Sequence, residues 1–425
     1  MKEKQRCYLC IDLKSFYASV ECVERGLDTM TTNLVVADPD RAEGTICLAV
    51  SPAMKALGVK NRCRVYEIPK HIKYIMAPPR MQKYIDYSAR IYGVYLNYIE
   101  KEDIHVYSID EAFIDVTEYL GYYHKTPVEM GKFLMDEVLR EVGVRATCGV
   151  GTNLFLTKVA LDITAKHSPD FIGYLDEKLY REKLWDHTPL TDFWRIGDRT
   201  ARKLSSYGYY TMGDIANGNE DLLYRKFGID AELLIDHAWG RESTEMKDIK
   251  AYKPQSNSLS SGQVLLRNYT FDEAIIIVKE MLELLCLDLV DKKLLTSSVS
   301  LHIGYSYEYE VYPTGGTLKL PLPSSSFSAM SRQVEGMYSM TTHRNVPIRQ
   351  VHIGFGKLVH DDGCRQLTFD DEFNVKSEKE KSIQNAMLRI KKKYGKNAIL
   401  KGSNFLSEST MRERNSQIGG HKSGA

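Results

Sequence analysis

Three acidic residues stand at the ends of short apolar segments. Asp12 ends a strand-like run over residues 7–13, and the pair Asp110 and Glu111 separates two further runs, 105–109 and 112–116. If these strands are neighbours in one sheet, the three carboxylates converge at its edge, although each acid alone is more typical of a solvated turn. Hard oxygen ligands in that number suit Mg²⁺, which takes its remaining ligands from water and substrate phosphates. Two such ions ~3.5–4 Å apart can activate a hydroxyl and stabilise a leaving pyrophosphate.

Aromatic and basic residues accompany these acids. Phe16 and Tyr17 begin a helical pattern directly after Asp12, and a tyrosine ring beneath a sugar excludes a 2′-hydroxyl by collision. Lys55 and Lys166 lie on predicted helices, where each can meet a triphosphate as a point charge. A lone tyrosine is more often a core residue and a lone lysine more often a surface charge, so these interpretations depend on the acids.

The elements that must position these residues follow a simple order in the first part of the chain. Periodicity and turn residues predict strands at 7–13, 33–37, 45–49, 105–109, 112–116 and 147–150, and helices at 16–25, 51–57, 81–98, 128–142 and 153–166. The order strand, helix, hairpin, helix, strand, helix is a split βαβ pattern of the ferredoxin-like kind.

The remainder begins with a helical region and then repeats a β-α-β-β-α-β order. Residues 174–246 have helical patterns, and 247–255 have linker composition with Pro254. Strands are predicted at 258–267, 297–305, 317–321 and 349–355, and helices at 271–295 and 327–341. The chain after residue 361 contains one helical stretch, 379–394, and an end rich in Gly, Ser and Lys.

Composition limits the class of protein. The chain has 425 residues, 43% apolar and 27% charged, which is ordinary for a globular protein of several domains. Its net charge is +1, and its eight cysteines are scattered, which favours reduced thiols. The start of the chain does not resemble a signal peptide, and no apolar run approaches the ~20 residues of a membrane span. We therefore expect a soluble, cytoplasmic protein without a membrane segment, and a monomer.

Three motifs carry a family resemblance. The segments IDLKSFYASVE (residues 11–21), YSIDEAF (107–113) and CGVGTN (148–153) closely resemble, in order and spacing, motifs of the Y-family (DinB/UmuC-type) translesion DNA polymerases. Within that family the chain looks most like the UvrX-like branch, whose tails the segment IGGHK (418–422) resembles. The resemblance covers residues 1–360 well and the tail loosely.

The resemblance implies an α+β multidomain protein with the right-hand architecture of polymerases. Its expected parts are a ferredoxin-like palm (1–15 and 80–172), small fingers (16–79), a helical thumb with a helix-hairpin-helix (173–246), a linker (247–257), a β-α-β-β-α-β little finger (258–360) and a C-terminal tail (361–425).

The resemblance also implies roles for single residues. Asp12, Asp110 and Glu111 would be catalytic and bind two Mg²⁺, with the backbone carbonyl of Leu13 as a further ligand. The expected nucleotide-binding residues are Phe16, Tyr17, Lys55 and Lys166, and Tyr17 matches the aromatic residue that discriminates the sugar. The chain also departs from the family pattern. Pro52 stands where many members have a tyrosine that touches the triphosphate, and Lys14 and Ser15 stand where acidic and aromatic residues are common.

Three further groups of residues are candidates for binding DNA or a partner protein. Residues 193–204 resemble a helix-hairpin-helix in which Ile196, Gly197, Arg199 and Thr200 would meet a DNA phosphate, although Arg195 replaces the first of two usual glycines. Arg267 and Arg349 are candidate phosphate contacts of the little finger. Gln366, Leu367 and Phe369 resemble the peptides that bind bacterial sliding clamps, imperfectly because Asp370 follows.

These expectations combine into one leading hypothesis. The chain would be a DNA-directed DNA polymerase for lesion bypass, of low fidelity, acting in damage tolerance on primer–template DNA and deoxynucleoside triphosphates with a sliding clamp as partner. One alternative is a non-catalytic scaffold that binds DNA and the clamp. A second is a nucleotidyl cyclase, which also places acids on a ferredoxin-like hairpin but has no need of the DNA-binding segments.

Overall fold

A five-stranded sheet organises the first of the two units into which the chain divides, residues 1–253 and 254–423. The computed structural model describes residues 5–41, 44–253, 257–362 and 371–424. The strands of the first unit are β1 (Tyr8–Leu13), β2 (Leu34–Val36), β3 (Ala49–Val50), β4 (Ile75–Ala77), β5 (Ile104–Val106), β6 (Glu111–Asp115), β7 (Ala146–Gly151) and β8 (Ile172–Leu175).

Its helices surround two sheets. They are α1 (Phe16–Val23), α2 (Pro52–Ala56), α3 (Met81–Leu96), α4 (Tyr119–Tyr123), α5 (Pro127–Val142), α6 (Leu154–Val159), α7 (Glu177–Leu184), α8 (Asp198–Ser205), α9 (Met212–Ala216), α10 (Glu220–Phe227), α11 (Asp230–Trp239) and α12 (Met246–Ala251).

The large sheet has the strand order β5-β6-β1-β7-β8. Strand β1 pairs antiparallel with both β6 and β7, and β7 pairs parallel with β8. Strand β6 therefore lies between β1 and β5, which is the split βαβ arrangement that the sequence predicts. Strand β8 is an addition that the prediction missed, because a four-residue apolar run after a helix carries little periodicity.

The helix after β7 lies unusually close to the sheet. A Cβ atom added to Gly149 would lie 2.2 Å from the backbone oxygen of Thr157, so the helix can take this position only over glycine. The predicted single helix 153–166 is instead α6, a π-helix over Ala160–Thr164 and a 3₁₀ turn over Ala165–His167. A π-helix accommodates an extra residue and changes the direction of the side chains that follow, here Lys166.

The small sheet has the order β3-β2-β4 and shares a core with α2. The strand predicted at 45–49 is wrong in position, since only Ala49–Val50 is paired as a strand, and β4 was not predicted. Part of the predicted linker is helical, because Met246 and Ile249 of α12 pack against the core of the first unit. Lys250 Nζ also donates to the backbone oxygens of Lys101 (2.9 Å) and Ile104 (2.6 Å).

The second unit repeats the predicted element order but not the strand order of the first. It contains β9 (Ser258–Tyr269), α13 (Phe271–Lys292), β10 (Leu294–Tyr305), β11 (Thr314–Ser324), α14 (Phe327–Thr341), β12 (Ile348–Gly356), β13 (Val359–His360), α15 (Asp371–Tyr394), α16 (Met411–Asn415), β14 (Gln417–Ile418) and β15 (His421–Lys422). Its main sheet has the order β11-β10-β12-β9, with all neighbours antiparallel. Helices α13 and α14 share a core with this sheet.

The C-terminal segment folds against α13 and β9 within the second unit. The carboxylate of Glu280 on α13, whose residue is 3% exposed, accepts hydrogen bonds from Asn404 Nδ2 (2.9 Å) and Thr410 N (3.2 Å). Arg414 Nη2 donates to Ser261 Oγ on β9 (3.2 Å). The sequence predicted no element after residue 394, whereas the described part of the tail is held by hydrogen bonds to α13 and β9, because buried polar groups need such partners. Within the described ranges, every helix is too short or too polar to cross a lipid bilayer.

Candidate active site

The structure brings the three predicted acids together at one end of the large sheet. Asp12 and Glu111 lie directly opposite each other in the antiparallel pairing of β1 and β6. Asp110 adjoins them, since its backbone oxygen accepts from Leu13 N at 2.9 Å. Ser108 Oγ donates to Asp110 Oδ1 at 2.6 Å and orients that carboxylate. The hairpin therefore positions all three side chains, although Glu111 is the first residue of β6 rather than part of the turn.

Two lysines from the helical segment after β7 engage these acids. Lys158 Nζ lies 2.8 Å from Glu111 Oε1 and 3.1 Å from Asp162 Oδ2. Lys166 Nζ lies 2.8 Å from Asp162 Oδ1 and 3.7 Å from Asp12 Oδ2. Asp162 thus joins the two ammonium groups, and the closely packed helix directs both toward the acids.

Asp12 is largely buried, and its electrostatic setting differs from that of water. Burial raises the pKa of Asp12 to about 6, Lys166 opposes this rise, and the neighbouring carboxylates Asp110 and Glu111 add to it. A carboxylate beside other carboxylates gains most from a nearby cation, because the cation relieves their mutual repulsion. The arrangement is therefore suited to cations.

The donor set fits Mg²⁺ in its chemistry. Carboxylate oxygens predominate, and the buried thiol of Cys10 donates to Glu111 Oε1 (3.1 Å) rather than competing as a free thiolate. Among the described residues, however, no three His, Cys, Asp or Glu side chains are grouped so that they could already hold a metal ion. The acids are instead engaged with Lys158 and Lys166. The residues fit the metal by type and position, and their carboxylates must turn toward it.

The predicted sugar contact lies beside this site. Tyr17 is half-buried near the start of α1, and its ring stacks on that of Tyr84 with centroids 4.4 Å apart and an interplanar angle of 13°. Burial and the charge of Asp110 raise the pKa of Tyr17, while Arg62 opposes them, so the Tyr17 hydroxyl is within electrostatic range of Asp110. Phe16 was also predicted to bind nucleotide, but it is only 3% exposed and serves the core.

Lysines from three parts of the chain lie near Asp12. Lys55 is exposed on α2, whose first residue is Pro52 and whose preceding residue, Ser51, accepts a hydrogen bond from Met54 N. The Lys14 ammonium lies 3.8 Å from the centroid of the Phe171 ring. Burial lowers the pKa of Lys14, with Lys55 as the next largest cause and Lys166 contributing. The three ammonium groups are thus close enough to repel one another, a setting that favours a polyanion.

Comparison with known proteins matches both units to one family. The model of the impB/mucB/samB family matches residues 11–162, and that of its C-terminal domain matches 256–369, together more than half of the chain. UvrX of Bacillus subtilis (strain 168), whose name associates it with UV-damage repair, is 33% identical over 98% of this chain and 97% of its own length. The chain belongs to this family. The assignment confirms the family predicted from the motifs.

Other matches agree. DNA polymerase IV 2 of Bacillus subtilis (strain 168) is 30% identical over 98% of this chain and 99% of its own length. Among solved structures, the Y-family DNA polymerase chimera Dbh-Dpo4(243-245)-Dbh superposes with a TM-score of 0.65 at 19% identity, covering 83% of this chain and 99% of that one. The overall architecture is therefore that of the Y-family polymerases, as the sequence predicts.

In this Y-family chain, some residues that shape the site were missed by sequence reasoning. Lys158, which is 7% exposed, holds Glu111, and Tyr84 supports Tyr17. Lys158 was detectable, because Lys158, Asp162 and Lys166 recur at intervals of four, the spacing that pairs side chains on a helix. Tyr84 lies on the distant helix α3, and its contact with Tyr17 had no local signal.

The predicted helix-hairpin-helix is present in part. The residue before α8 is Gly197, exposed and with no atom within 4 Å of an added Cβ, and Arg199 is also exposed. Ile196 is only 5% exposed, and Thr200 is half-buried, so these two side chains offer less surface for contact with DNA than Gly197 and Arg199 do. The element before the turn is only a 3₁₀ turn, Leu190–Asp192, rather than a full helix.

The backbone conformation of Arg195 explains how this residue can replace the first of the two usual glycines. It adopts the left-handed conformation with φ +70°, which glycine normally supplies. Its guanidinium carbon lies 5.0 Å from the Trp194 ring centroid, a cation–π contact that offsets part of the ~1–2 kcal/mol cost of that conformation. The turn therefore keeps the conformation that a glycine would give it.

The two predicted arginines of the second unit have different surroundings. Arg267 Nη2 lies 2.8 Å from Glu273 Oε1, and its guanidinium carbon lies 4.1 Å from the Tyr269 ring centroid. Arg349 is half-buried and lines an open depression with Tyr307 and Glu308. The predicted clamp-binding residues lie outside the described residues: Gln366, Leu367 and Phe369.

Proposed function

We propose that this chain is a template-directed DNA polymerase of the lesion-bypass type. It would transfer a deoxynucleotide from its triphosphate to a primer 3′-hydroxyl, with low fidelity, during tolerance of DNA damage. The observation that carries the proposal is the pairing of Asp12 directly opposite Glu111, with Asp110 beside them, in a chain of this family. The polymerase names of its relatives support the same conclusion.

Two Mg²⁺ ions would be held by Asp12, Asp110, Glu111 and the backbone carbonyl of Leu13. Such ions activate the attacking hydroxyl and stabilise the leaving pyrophosphate. Phosphoryl transfer of this kind requires little covalent chemistry from the protein, so its side chains act by positioning and charge.

Four side chains would bind the nucleotide or neutralise charge at the site. Lys55 and Lys166 would hold the triphosphate, and their mutual proximity supports this assignment. Tyr17 would contact the sugar. Lys158 would neutralise part of the charge of the Glu111 carboxylate, since its ammonium is buried against it.

The proposal includes contacts with DNA and a partner protein. Gly197 and Arg199 at the start of α8 would meet a backbone phosphate, because the first N–H groups of a helix favour anions. Arg267 and Arg349 would add sequence-independent contacts, which a polymerase needs because it must accept any template. Gln366, Leu367 and Phe369 would dock on a sliding clamp.

Primer extension tests the proposal. The purified full chain is given a primed template, Mg²⁺ and deoxynucleotides, beside a double variant Asp110→Ala/Glu111→Ala and a control Glu102→Ala. Glu102 is an exposed acid just before β5 that pairs only weakly with Lys101 (3.6 Å). We expect extension by the native chain and by the control, and a loss of at least a thousandfold in the double variant.

Two results would contradict the proposal. Extension that survives in the double variant would place catalysis elsewhere or indicate a contaminant. No extension by the native chain on several templates, with binding to primed DNA intact, would instead favour the scaffold.

A further inference from the structure

Tyr17 does not stand alone beside the acids. Its ring lies flat against Tyr84, with centroids 4.4 Å apart and an interplanar angle of 13°. Tyr84 has no exposed surface, whereas Tyr17 is half-buried. One face of the Tyr17 ring is therefore covered by Tyr84, while part of the Tyr17 side chain remains exposed.

Tyr84 is itself held rigidly. Its hydroxyl donates to Glu21 Oε1 at 2.8 Å, and the same carboxylate accepts from Arg80 Nε at 2.9 Å and Arg80 Nη2 at 2.6 Å. Arg25 also pairs with Glu21. Burial of Glu21 would raise the pKa of its carboxyl, but these hydrogen bonds lower it overall. A buried carboxylate with charged partners in this geometry resists displacement, since losing one partner is costly.

A steric exclusion depends on what stands behind the excluding group. A tyrosine side chain rotates between staggered positions at low cost unless its neighbours prevent it. If Tyr17 could move back, an added 2′-hydroxyl would only shift the ring, and little discrimination would result. A close-packed ring behind it turns the same contact into a collision, because protein interiors do not compress.

We infer that Tyr84 is a positioning residue for sugar discrimination, acting as a rigid support that prevents Tyr17 from retreating when a ribonucleotide enters. The inference rests on the proposed function and on the proposed role of Tyr17. Under this inference, sugar selection depends on the stacked pair Tyr17 and Tyr84 rather than on one side chain. Glu21 and Arg80 hold this pair in place and join α1 to α3.

The test compares variants of Tyr84 in the full chain. Tyr84→Leu removes the flat ring, and Tyr84→Phe keeps the ring but loses the hydroxyl. The matched control is Tyr87→Leu, since Tyr87 lies on the same helix, is 7% exposed and donates to Glu24 Oε1 at 2.8 Å. The measured quantity is kcat/KM for a deoxynucleotide divided by that for the matching ribonucleotide.

We expect this ratio to fall about tenfold in Tyr84→Leu, which corresponds to ~1.4 kcal/mol. It should change less than twofold in Tyr84→Phe and in Tyr87→Leu. In a Tyr17→Ala background, Tyr84→Leu should have no further effect on the ratio, because the two residues would act as one unit. If Tyr84→Leu does not fold, Tyr84→Met fills more of the volume without a ring and gives the same comparison.

Three outcomes overturn the inference: an unchanged ratio in a folded Tyr84→Leu or Tyr84→Met variant, an equal fall in Tyr87→Leu, or additive effects with Tyr17→Ala. A failure of the proposed function is distinct from all three, because the native chain would then incorporate no deoxynucleotide and no ratio would exist.

Discussion

The two main sheets of this protein share one order of elements and differ in almost everything else. In the first unit the order is β5-β6-β1-β7-β8, and in the second it is β11-β10-β12-β9. The first places its third strand between its first and second, whereas the second places its last strand there. Element order along the chain therefore does not determine which strands become neighbours.

The two sheets also differ in whether both faces of a central strand are buried. The first four residues of β1, Tyr8 to Ile11, are all buried, so that strand is covered on both faces. In the second unit, buried Val299 and Leu301 alternate with half-buried Ser300 and exposed His302 along β10, and Ser300 is aligned with Gly354 of β12. The first sheet concentrates charge at its strand ends, whereas the second spreads small polar groups over one face.

The largest expected effect is the loss of stability when the buried carboxylate of Glu111 in the first sheet loses its cation. Lys158→Met removes the cation that neutralises Glu111, whose side chain is 11% exposed. An unpaired buried charge should lower the free energy of unfolding of the first unit by about 3–5 kcal/mol. Urea unfolding measures it, with Lys132→Met as the control, since Lys132 and Asp170 form an exposed pair. A loss below ~1 kcal/mol would show that the site is open to water.

Glycine substitutions compare the two sheets directly. In Gly149→Ala the added Cβ would lie 2.2 Å from a backbone oxygen of Thr157, whereas in Gly354→Ala it would meet the Ser300 hydroxyl at 2.7 Å. The Thr157 backbone cannot move away from an added methyl group as readily as the Ser300 side chain can. We expect a loss of about 3 kcal/mol in the first variant and under ~1 kcal/mol in the second, measured by thermal unfolding. Equal losses would remove the proposed difference in packing.

The second unit also has a buried acid, Glu280 of α13, which the tail covers. Glu280→Ala leaves Asn404 Nδ2 and Thr410 N without their acceptor, which should cost about 2–3 kcal/mol. The released tail should be cut faster by protease, as followed by mass spectrometry. The control is Glu378→Ala, an exposed position on α15. Equal cleavage in both variants would show that Glu280 does not hold the tail.

The smallest expected effect is a pH dependence in the second unit. Hydrogen bonds from Arg267 and Thr270 N lower the pKa of Glu273 from 4.5 to about 2. A lowered pKa stabilises the fold above pH ~4.5, and this contribution, about 1 kcal/mol, is lost as the pH falls toward 2. Glu273→Gln should flatten the dependence over that window, and Asp272→Asn, an exposed neighbour, should not. Parallel pH profiles for the native chain and Glu273→Gln would contradict the assignment.

Sequence reasoning succeeded where the signal was local. Helix α14 was predicted with its observed bounds, 327–341, because its apolar residues recur at helical spacing and serines precede it. The convergence of Asp12 with Asp110 and Glu111 followed from one further assumption, that their strands are neighbours, and the pairing of β1 with β6 agrees with it. Short strands such as β4 and β8 were missed, because three or four residues show no period.

By itself, the sequence determined the types of residue available for chemistry, the order of the elements and the family. Only the tertiary structure decided that Lys158 holds Glu111, that Tyr84 lies behind Tyr17, and that the tail covers Glu280. It also decided the different strand orders of the two sheets. The physical reason is that these contacts join residues far apart in the chain, and their energy comes from burying apolar surface and pairing polar groups that no local pattern records.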